Sequence, residues 1–203
     1  MSTKAMKALL ASLGKEASRS LKRPAEPKTV MQEFCRAMSI RQNRPIHLAF
    51  RAFPDDLPVS GMRLDCGDQS LIVVEDRAVP ESQLVILGHE LWHEEQGDCN
   101  PHVTGVPTAA RTLSADNNAE ALKKAATQIL NAQAVPQATL LAVAARAASH
   151  EDHEADAETF GLLFGREIRT WITGPYAKGP VTPSTVEGRI DLSLSNRSGQ
   201  ILG

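Results

Sequence analysis

Two histidines stand four residues apart in a stretch of the sequence that has helical periodicity. His89 and His93 lie between Pro80, which suits the first turn of a helix, and Gly97, which suits a left-handed C-terminal cap. On an α-helix, positions i and i+4 differ by about 40° around the axis and about 6 Å along it, so both imidazoles can converge on one point. A chain with this pattern must bury the helix firmly enough to fix two polar side chains, which restricts the folds it can adopt.

A carboxylate stands beside the two histidines. Glu90 follows His89 directly, about 100° further round the helix, where its side chain can take a proton from a water molecule held by a metal ion. Paired imidazoles at this spacing are typical zinc ligands. The pattern therefore predicts His89 and His93 as metal ligands and Glu90 as a catalytic base. The alternative interpretation is a pair of surface or capping histidines.

A zinc ion that does chemistry needs a third protein ligand and an open fourth position. The segment 149–161 is acidic, has helical periodicity and lies at a suitable distance downstream, and we assign the third ligand to Glu154 within it. Two alternatives stay open. The acidic residues can form only a solvated first turn that the helix dipole favours, or Asp152 can replace Glu154 as the ligand.

Small residues accompany the three predicted ligands. Ala157 and Gly161 follow Glu154 on the same helical face, and Gly88 precedes His89. A glycine in the middle of a helix costs about 1 kcal/mol relative to alanine, so Gly88 and Gly161 indicate that packing requires them. We expect the two helices to approach each other closely at these positions.

Four further residues are weaker candidates for the site. His150 lies one turn before Glu154, and we take it as a catalytic residue that donates a hydrogen bond to the developing oxyanion, or as a substitute ligand. A capping or surface role is the alternative for His150. Cys99 and His102 follow the helix that carries His89 and His93, and could contact the metal or respond to redox conditions. Tyr176 could supply a transition-state hydrogen bond.

The remaining pattern predicts an α+β fold. Alternation of apolar and polar residues indicates strands over residues 46–50 and 62–66, and the apolar run 71–74 suits a strand that is covered on both faces. Gly67 and Asp68 supply a tight hairpin turn between the last two strands. We therefore expect a small mixed or antiparallel three-stranded sheet packed on a mainly helical domain.

Periodicity and chain breakers also predict the helices and the domain boundaries. Pro24 and Pro27 separate the first two helices. A loop is expected over residues 98–115, and helices are expected over 3–22, 27–42, 80–97, 117–133, 137–149 and 149–171. The chain then divides into a basic N-terminal helical appendage, a main domain and an extended or mobile tail, over residues 1–26, 27–172 and 173–203.

Composition excludes several classes of function. Hydrophobic residues make up 42% of the chain but aromatic residues only 4%, which favours close-packed alanine-rich helices. A formal net charge of -2 gives no general reason to bind nucleic acid, and no window approaches the roughly 20 apolar residues of a membrane span. The three cysteines are widely spaced and odd in number, which predicts a reducing compartment, the cytoplasm.

Two motifs together resemble a known family. The chain is similar to the ImmA/IrrE family of bacterial zinc metallopeptidases over about residues 30 to 170, on two strings, Leu87-Gly88-His89-Glu90-Leu91-Trp92-His93 and Glu154-x-x-Ala157-Glu158-x-Phe160-Gly161. The second motif of that family is approximately Glu-x-x-Ala-Asn/Asp-x-Phe-Ala, so Glu158 and Gly161 depart from it. An alternative alignment of Asp152-x-x-Ala155-Asp156 resembles the ExxAD motif of other gluzincins and would make Asp152 the ligand.

The resemblance implies a zincin-like core and limited proteolysis of a regulatory partner, often a helix-turn-helix repressor. Some Streptomyces-type relatives are toxin components of toxin–antitoxin pairs. We therefore expect a cytoplasmic endopeptidase that binds one Zn²⁺ through His89, His93 and Glu154 and cleaves a protein substrate, with no direct contact to nucleic acid or membrane. The alternative is a regulatory or toxin-like binding protein with a zinc site and little hydrolytic activity. The basic helix over residues 3–22 and the tail after Gly174 are the surfaces available for docking a partner.

Overall fold

A computed structural model describes residues 3–53, 60–65, 68–97, 102–104 and 151–177 of the chain. Within them lie four helices, α1 (Thr3–Ala17), α2 (Pro27–Gln42), α3 (Pro80–Gln96) and α4 (Glu151–Ile168), and four strands, β1 (Ile46–Arg51), β2 (Gly61–Asp65), β3 (Ser70–Glu75) and β4 (His102–Thr104). This confirms the predicted α+β class. None of these helices is both long and apolar enough to cross a membrane. The predicted helices over 117–133 and 137–149 lie outside the described residues.

The strands form one mixed sheet in the order β1-β3-β2-β4. β1 runs parallel to β3, whereas β2 is antiparallel to both of its neighbours. The three longer strands are those predicted, and the antiparallel register of β2 and β3, with Leu64 opposite Leu71, is the one that the expected hairpin requires. The predicted loop over 98–115 is wrong at β4, because three residues are too few for alternation to reveal a strand that pairs with β2.

Both faces of the sheet are covered at its centre. Ile72, Val73 and Val74 point alternately to the two faces of β3, and all three are fully buried. This confirms that the apolar run of β3 is covered on both sides. Arg63 lies opposite Ile72 in the register, so it shares a face with Ile72, and it is buried as well, at 1% exposure.

α3 contacts the sheet, α2 and α4, and is buried on all sides over residues 86–94, polar side chains included. Pro80 occupies its first turn and Gly97 caps its C-terminus with φ 69°, as predicted. The side-chain amide of Gln83 donates a hydrogen bond to the Glu75 carbonyl oxygen at 2.9 Å, which ties the start of α3 to the end of β3. Every face of α3 therefore meets another element.

α1 packs against α2 and joins the common core. One hydrophobic cluster takes in apolar residues of α2, α3 and α4 together with four from α1, Met6, Leu9, Leu13 and Ala17. α1 ends at Ala17, before the predicted end near residue 22. Serine hydroxyls compete with the backbone for hydrogen bonds at this point, since the Ser18 hydroxyl donates to the Gly14 carbonyl oxygen at 2.7 Å.

Hydrogen bonds join the two ends of the predicted main domain. Ala25 and Ile172 form a parallel β-bridge. The N–H of Ala25 donates to the Trp171 carbonyl at 2.8 Å, and the N–H of Thr173 donates to the Ala25 carbonyl at 2.8 Å. The segments before α2 and after α4 therefore lie side by side. The division of the chain into three parts stays a prediction.

Candidate metal centre

α3 and α4 form an antiparallel pair. Arg169, just beyond α4, pairs with Glu81 in the first turn of α3 at 2.7 Å. At the other end, Glu154 in the first turns of α4 faces His93 near the end of α3. The helices therefore run in opposite directions and bring the predicted ligands together at one end of the pair.

Glycines let these two helices approach backbone to backbone. A Cβ atom on Gly161 would lie 2.7 Å from the Val85 carbonyl oxygen and 3.3 Å from the His89 backbone nitrogen. A Cβ atom on Gly88 would lie 2.6 Å from the Cβ of Phe164. No side chain can be accommodated at such distances, so the predicted close approach at Gly88 and Gly161 is confirmed.

Aromatic rings fix the helix pair on the core. The rings of Trp92 in α3 and Phe160 in α4 have centroids 5.2 Å apart. Phe164, one turn further, meets Phe34 of α2 edge-on at 4.9 Å. Pairs of this kind contribute about 0.5 to 1.5 kcal/mol beyond the burial of their area. Packing of these rings therefore contributes to the position of α4 relative to α3.

Three predicted ligands converge between the end of α3 and the start of α4. The Nε2 atoms of His89 and His93 lie 3.0 Å apart. Glu154 places one carboxylate oxygen 3.4 Å from Nε2 of His93 and the other 3.6 Å from Nε2 of His89. With one donor atom counted per residue, the three lie within 4.8 Å of one another. The arrangement is a His–His–Glu group that could hold a metal ion.

The donor distances suit a small tetrahedral ion. Zinc bonds to imidazole nitrogen and carboxylate oxygen are about 2.0 to 2.2 Å long, which places neighbouring ligands of a tetrahedral ion about 3.3 to 3.6 Å apart. The Nε2–Nε2 distance of 3.0 Å lies close to this range, as do the distances of 3.4 and 3.6 Å from the two Nε2 atoms to one and the other oxygen of Glu154. Two nitrogens and one carboxylate are a donor set found in catalytic zinc sites, and three protein ligands leave the fourth position open.

The group is largely shielded from water. The side chains of His93 and His89 are 0% and 3% exposed, and that of Glu154 is 14% exposed. Glu90, the predicted base, follows His89 on α3 and is fully buried. Carboxylates in a poorly hydrated place interact more strongly with a cation than they do at the surface. A divalent cation would balance the negative charge that Glu90 and Glu154 bring here.

A second buried polar cluster lies on another face of α3. The Glu94 carboxylate accepts hydrogen bonds from Arg63 at 3.1 Å and from the Ser70 hydroxyl at 2.8 Å. Arg44 approaches the same carboxylate at 3.8 Å and donates to the Ser70 hydroxyl at 2.8 Å. The side chains of Arg63 and Glu94 are 1% and 2% exposed. These contacts fasten the turn of α3 that follows His93 to β2 and β3.

Neither Glu94 nor Arg63 was predicted as part of a site. A signal was present, because Arg63 stands between two apolar residues of a strand and Glu94 directly follows His93. A helix that is apolar on all sides is buried, and a charge on it then needs a partner. The pairing itself depends on how α3 crosses the sheet, which no local pattern contains.

The structure describes only some of the weaker candidates. Tyr176 is 37% exposed, and its carbonyl oxygen accepts a hydrogen bond from Arg169, at the opposite end of the α3–α4 pair, so Tyr176 is not brought to the His–His–Glu group. His102 lies opposite Arg63 in the register of β4, and its side chain is outside the described part. Three more predictions fall outside it: Cys99, His150 and the side chain of Asp152.

Comparison of the chain with protein-family models, with curated proteins and with solved structures gave no match. The fold and the site define a class, an α+β protein with a buried His–His–Glu group suited to a metal ion. The particular function has to be argued from the geometry of that group.

Proposed function

We propose that the chain is a zinc-dependent endopeptidase in which His89, His93 and Glu154 hold the ion and Glu90 is the general base. One observation carries the proposal: donor atoms from two helices converge at 3.0 to 3.6 Å, with a buried carboxylate next to them in the sequence. A purely structural zinc site gains little from such a base, whereas hydrolysis requires one. The zincin-like core and the ImmA/IrrE resemblance belong to the same proposal.

A zinc ion held by His89, His93 and Glu154 would supply Lewis acidity, which would polarise a peptide carbonyl and make a water molecule easier to deprotonate. The residues of the chain do the rest. The Glu90 carboxylate accepts the proton from the attacking water and passes it to the leaving amine nitrogen. The Nε2 atoms of His89 and His93 must be free of protons to act as ligands, and Glu154 must be ionised. Burial of the group limits competition from bulk water.

The edge of the sheet supports a peptide as the substrate. Among the described strands, β4 lies at one end of the order, pairs with β2 and contacts α3. An extended peptide can add to such an edge strand through main-chain hydrogen bonds, which would hold its carbonyl groups beside α3. We propose a protein segment as the substrate, and a helix-turn-helix regulator as the protein on the resemblance alone. A cytoplasmic location completes the proposal and rests on cysteine usage.

Zinc content and hydrolysis test the assigned roles separately. The wild type is expected to hold about one zinc ion per chain. Glu90→Gln is expected to retain the zinc and to lose hydrolysis by on the order of 10² or more. Glu95→Gln is the matched control, because Glu95 lies on the same helix but pairs with Arg41 near the surface, and it should keep both properties. The assay uses a helix-turn-helix regulator encoded nearby as the substrate, and mass spectrometry maps the fragments.

The possible results separate the alternatives. Loss of zinc in Glu90→Gln would show that Glu90 is a ligand and not the base. An uncut regulator that binds wild type and Glu90→Gln equally would favour a regulatory or toxin-like binding protein with a structural zinc site. Cleavage by Glu90→Gln at the wild-type rate would contradict the proposal directly.

A further inference from the structure

A groove of about 650 Å³ runs between α1 and the C-terminal half of α4. Its floor includes the apolar side chains of Leu10 and Leu163, and Trp171 also lines it but is only 9% exposed, with the Arg23 guanidinium 3.9 Å from its ring centroid. Leu10 and Leu163 pack on the core but are only partly buried. Since Leu163 lies about 13 Å further along α4 than Glu154, the groove is outside the candidate metal centre.

Both walls of the groove are helical faces with the spacing that helix packing uses. The lining residues of α1 recur at intervals of three and four, as Lys7, Leu10, Ala11, Gly14 and Lys15. On the other side, Leu163, Arg166 and Glu167 of α4 have the same spacing, and Thr170 and Trp171 continue the lining beyond the end of the helix. A neighbouring face of α1, with Met6, Leu9, Leu13 and Ala17, is already buried, and α1 packs against α2. Ridges and grooves of this kind receive the side chains of a third helix.

The rim of the groove is basic. Lys7 and Lys15 stand on the α1 side and form no ion pair with any described residue, whereas Arg166 on α4 pairs with Glu167 at 2.7 Å. Two ammonium groups beside an apolar floor favour an occupant with acidic side chains. Leu162 is 64% exposed and lies one turn before Arg166, so it extends the apolar surface beyond the groove.

We propose that this groove docks an amphipathic helix of a protein partner, with apolar residues on Leu10 and Leu163 and acidic residues facing Lys7 and Lys15. The inference deepens the proposed function and rests on it, because the groove would select the protein that the metal centre cleaves. A concave apolar floor fits the apolar face of a helix, whereas an anionic membrane needs a whole face of protruding apolar side chains, and Leu162 is a single one. The phosphates of a nucleic acid would gain nothing from that floor.

A labelled peptide tests docking without cleavage. The probe is a synthetic helix of about 18 residues, five turns, with leucines along one face and glutamates on both flanks, and its binding to the full chain carrying Glu90→Gln is measured by fluorescence anisotropy. The double change Lys7→Glu and Lys15→Glu should weaken binding about tenfold, because attraction becomes repulsion at two places. Lys4→Glu with Lys22→Glu is the matched control, since both lysines are exposed and neither lines the groove.

A second pair of variants tests the apolar floor. Ala11→Trp places an indole in the groove and is expected to abolish binding. Ala8→Trp adds the same side chain at an exposed position of α1 outside the groove and should leave binding unchanged. Both alanines are exposed, so circular dichroism should show the same helix content in both variants.

Several results would overturn the docking proposal. One is that the acidic probe does not bind. Another is that a probe with lysines in place of the glutamates binds with the same affinity. A third is that the groove variants and the control variants change the affinity equally. A different outcome is that the peptide does not bind, whereas phosphatidylglycerol vesicles or DNA bind and lose this binding in the Lys7 and Lys15 variant. That result would assign the surface to a membrane or a nucleic acid instead. Groove-dependent binding of the probe without any cleavage of a regulator would support the groove and contradict only the proposed function.

Discussion

α3 carries two buried polar clusters on neighbouring faces, and they differ in how their charges are balanced. Glu94 meets the guanidinium of Arg63 at 3.1 Å, so the fold itself supplies a permanent positive charge. Glu154 meets the Nε2 atoms of His89 and His93 at 3.6 and 3.4 Å. We call the first the closed cluster and the second the open cluster. Only the open cluster presents several donor atoms to one point that a cation could occupy.

This difference separates a structural ion pair from a candidate functional site. Breaking a buried carboxylate–guanidinium pair leaves a buried charge without its partner, so such a pair is a fixed part of the fold. An imidazole can be neutral near physiological pH, so the open cluster can exchange a proton or a metal ion with its surroundings. The side chain of Glu94 is 2% exposed and that of Glu154 is 14% exposed, in agreement with these roles. The closed cluster also holds the backbone that presents the open one.

Removal of an imidazole should cause the greatest change, a loss of metal from the open cluster. His93→Ala should weaken zinc affinity by roughly 10³-fold, because one of three protein ligands shares a binding free energy on the order of 10 kcal/mol. His47→Ala is the matched control, since His47 is exposed on β1 beside Gln69 and should not affect zinc. Competition with a zinc chelator measures both affinities. Equal affinities in the two variants would remove the distinction between the clusters.

The third ligand can be tested in the same way. Glu154→Ala should weaken zinc affinity far more than the same change at the other candidates, which are Asp152, His150 and Cys99. The reason is that Glu154 places its two oxygens within 3.6 Å of the imidazole Nε2 atoms. A crystal structure of the zinc-loaded protein provides the second measurement. Coordination by an oxygen of Asp152, a nitrogen of His150 or the sulfur of Cys99 would overturn the assignment.

The next effect concerns the free energy of unfolding and the closed cluster. Glu94→Ala leaves Arg63 buried without this carboxylate, which should cost about 3 to 5 kcal/mol. Glu95→Ala, one residue further, breaks a pair with Arg41 near the surface and should cost less than about 1 kcal/mol. Urea unfolding of the metal-free variants measures both costs. If Glu94→Ala and Glu95→Ala lose the same stability, the closed cluster is not a structural ion pair of the kind described.

Two glycines of α4 should respond differently to an added methyl group. The Cβ of Gly161→Ala would lie 2.7 Å from the carbonyl oxygen of Val85, a backbone atom, so α4 must move away from α3. This change should cost about 1 to 3 kcal/mol and weaken zinc affinity, because Glu154 moves with α4. The Cβ of Gly165→Ala would lie 2.6 Å from a side-chain methyl of Val85, which can shift more easily. Calorimetric zinc titration compares the variants, and an equal loss of affinity would contradict the assigned role of Gly161.

The smallest effect concerns Cys35 on α2. Burial raises the pKa of the Cys35 thiol, and the nearby Glu94 carboxylate raises it further. The thiolate is the reactive form, so a raised pKa means that Cys35 resists alkylation at neutral pH until the chain unfolds. Glu94→Gln removes only the smaller cause and should change labelling of the native protein little. Mass spectrometry of the Cys35 peptide after iodoacetamide treatment measures the extent of alkylation. Rapid labelling of the native protein would contradict the prediction that Cys35 resists alkylation.

The candidate site divides into a part that could be predicted and a part that could not. His89 and His93 lie on one helix, so their spacing alone predicts that the imidazoles meet. Glu154 lies on another helix, and its assignment also required the small residues that indicate close helix packing, Gly88 and Gly161. Arg63 and Glu94 were not predicted as partners, because the strand and the helix that carry them meet only after the chain has folded.

Local patterns in the sequence are enough to predict the helix that begins at Pro80 and ends before Gly97, the alternating strands and the spacing of the imidazoles. Three other features depend on the folded arrangement of the elements: β4 pairs with β2, α1 joins the common core, and α4 brings Glu154 to α3. The physical reason is that periodicity shows which residues of an element share a face. Which other element covers that face depends on packing and on contacts between residues far apart in the chain.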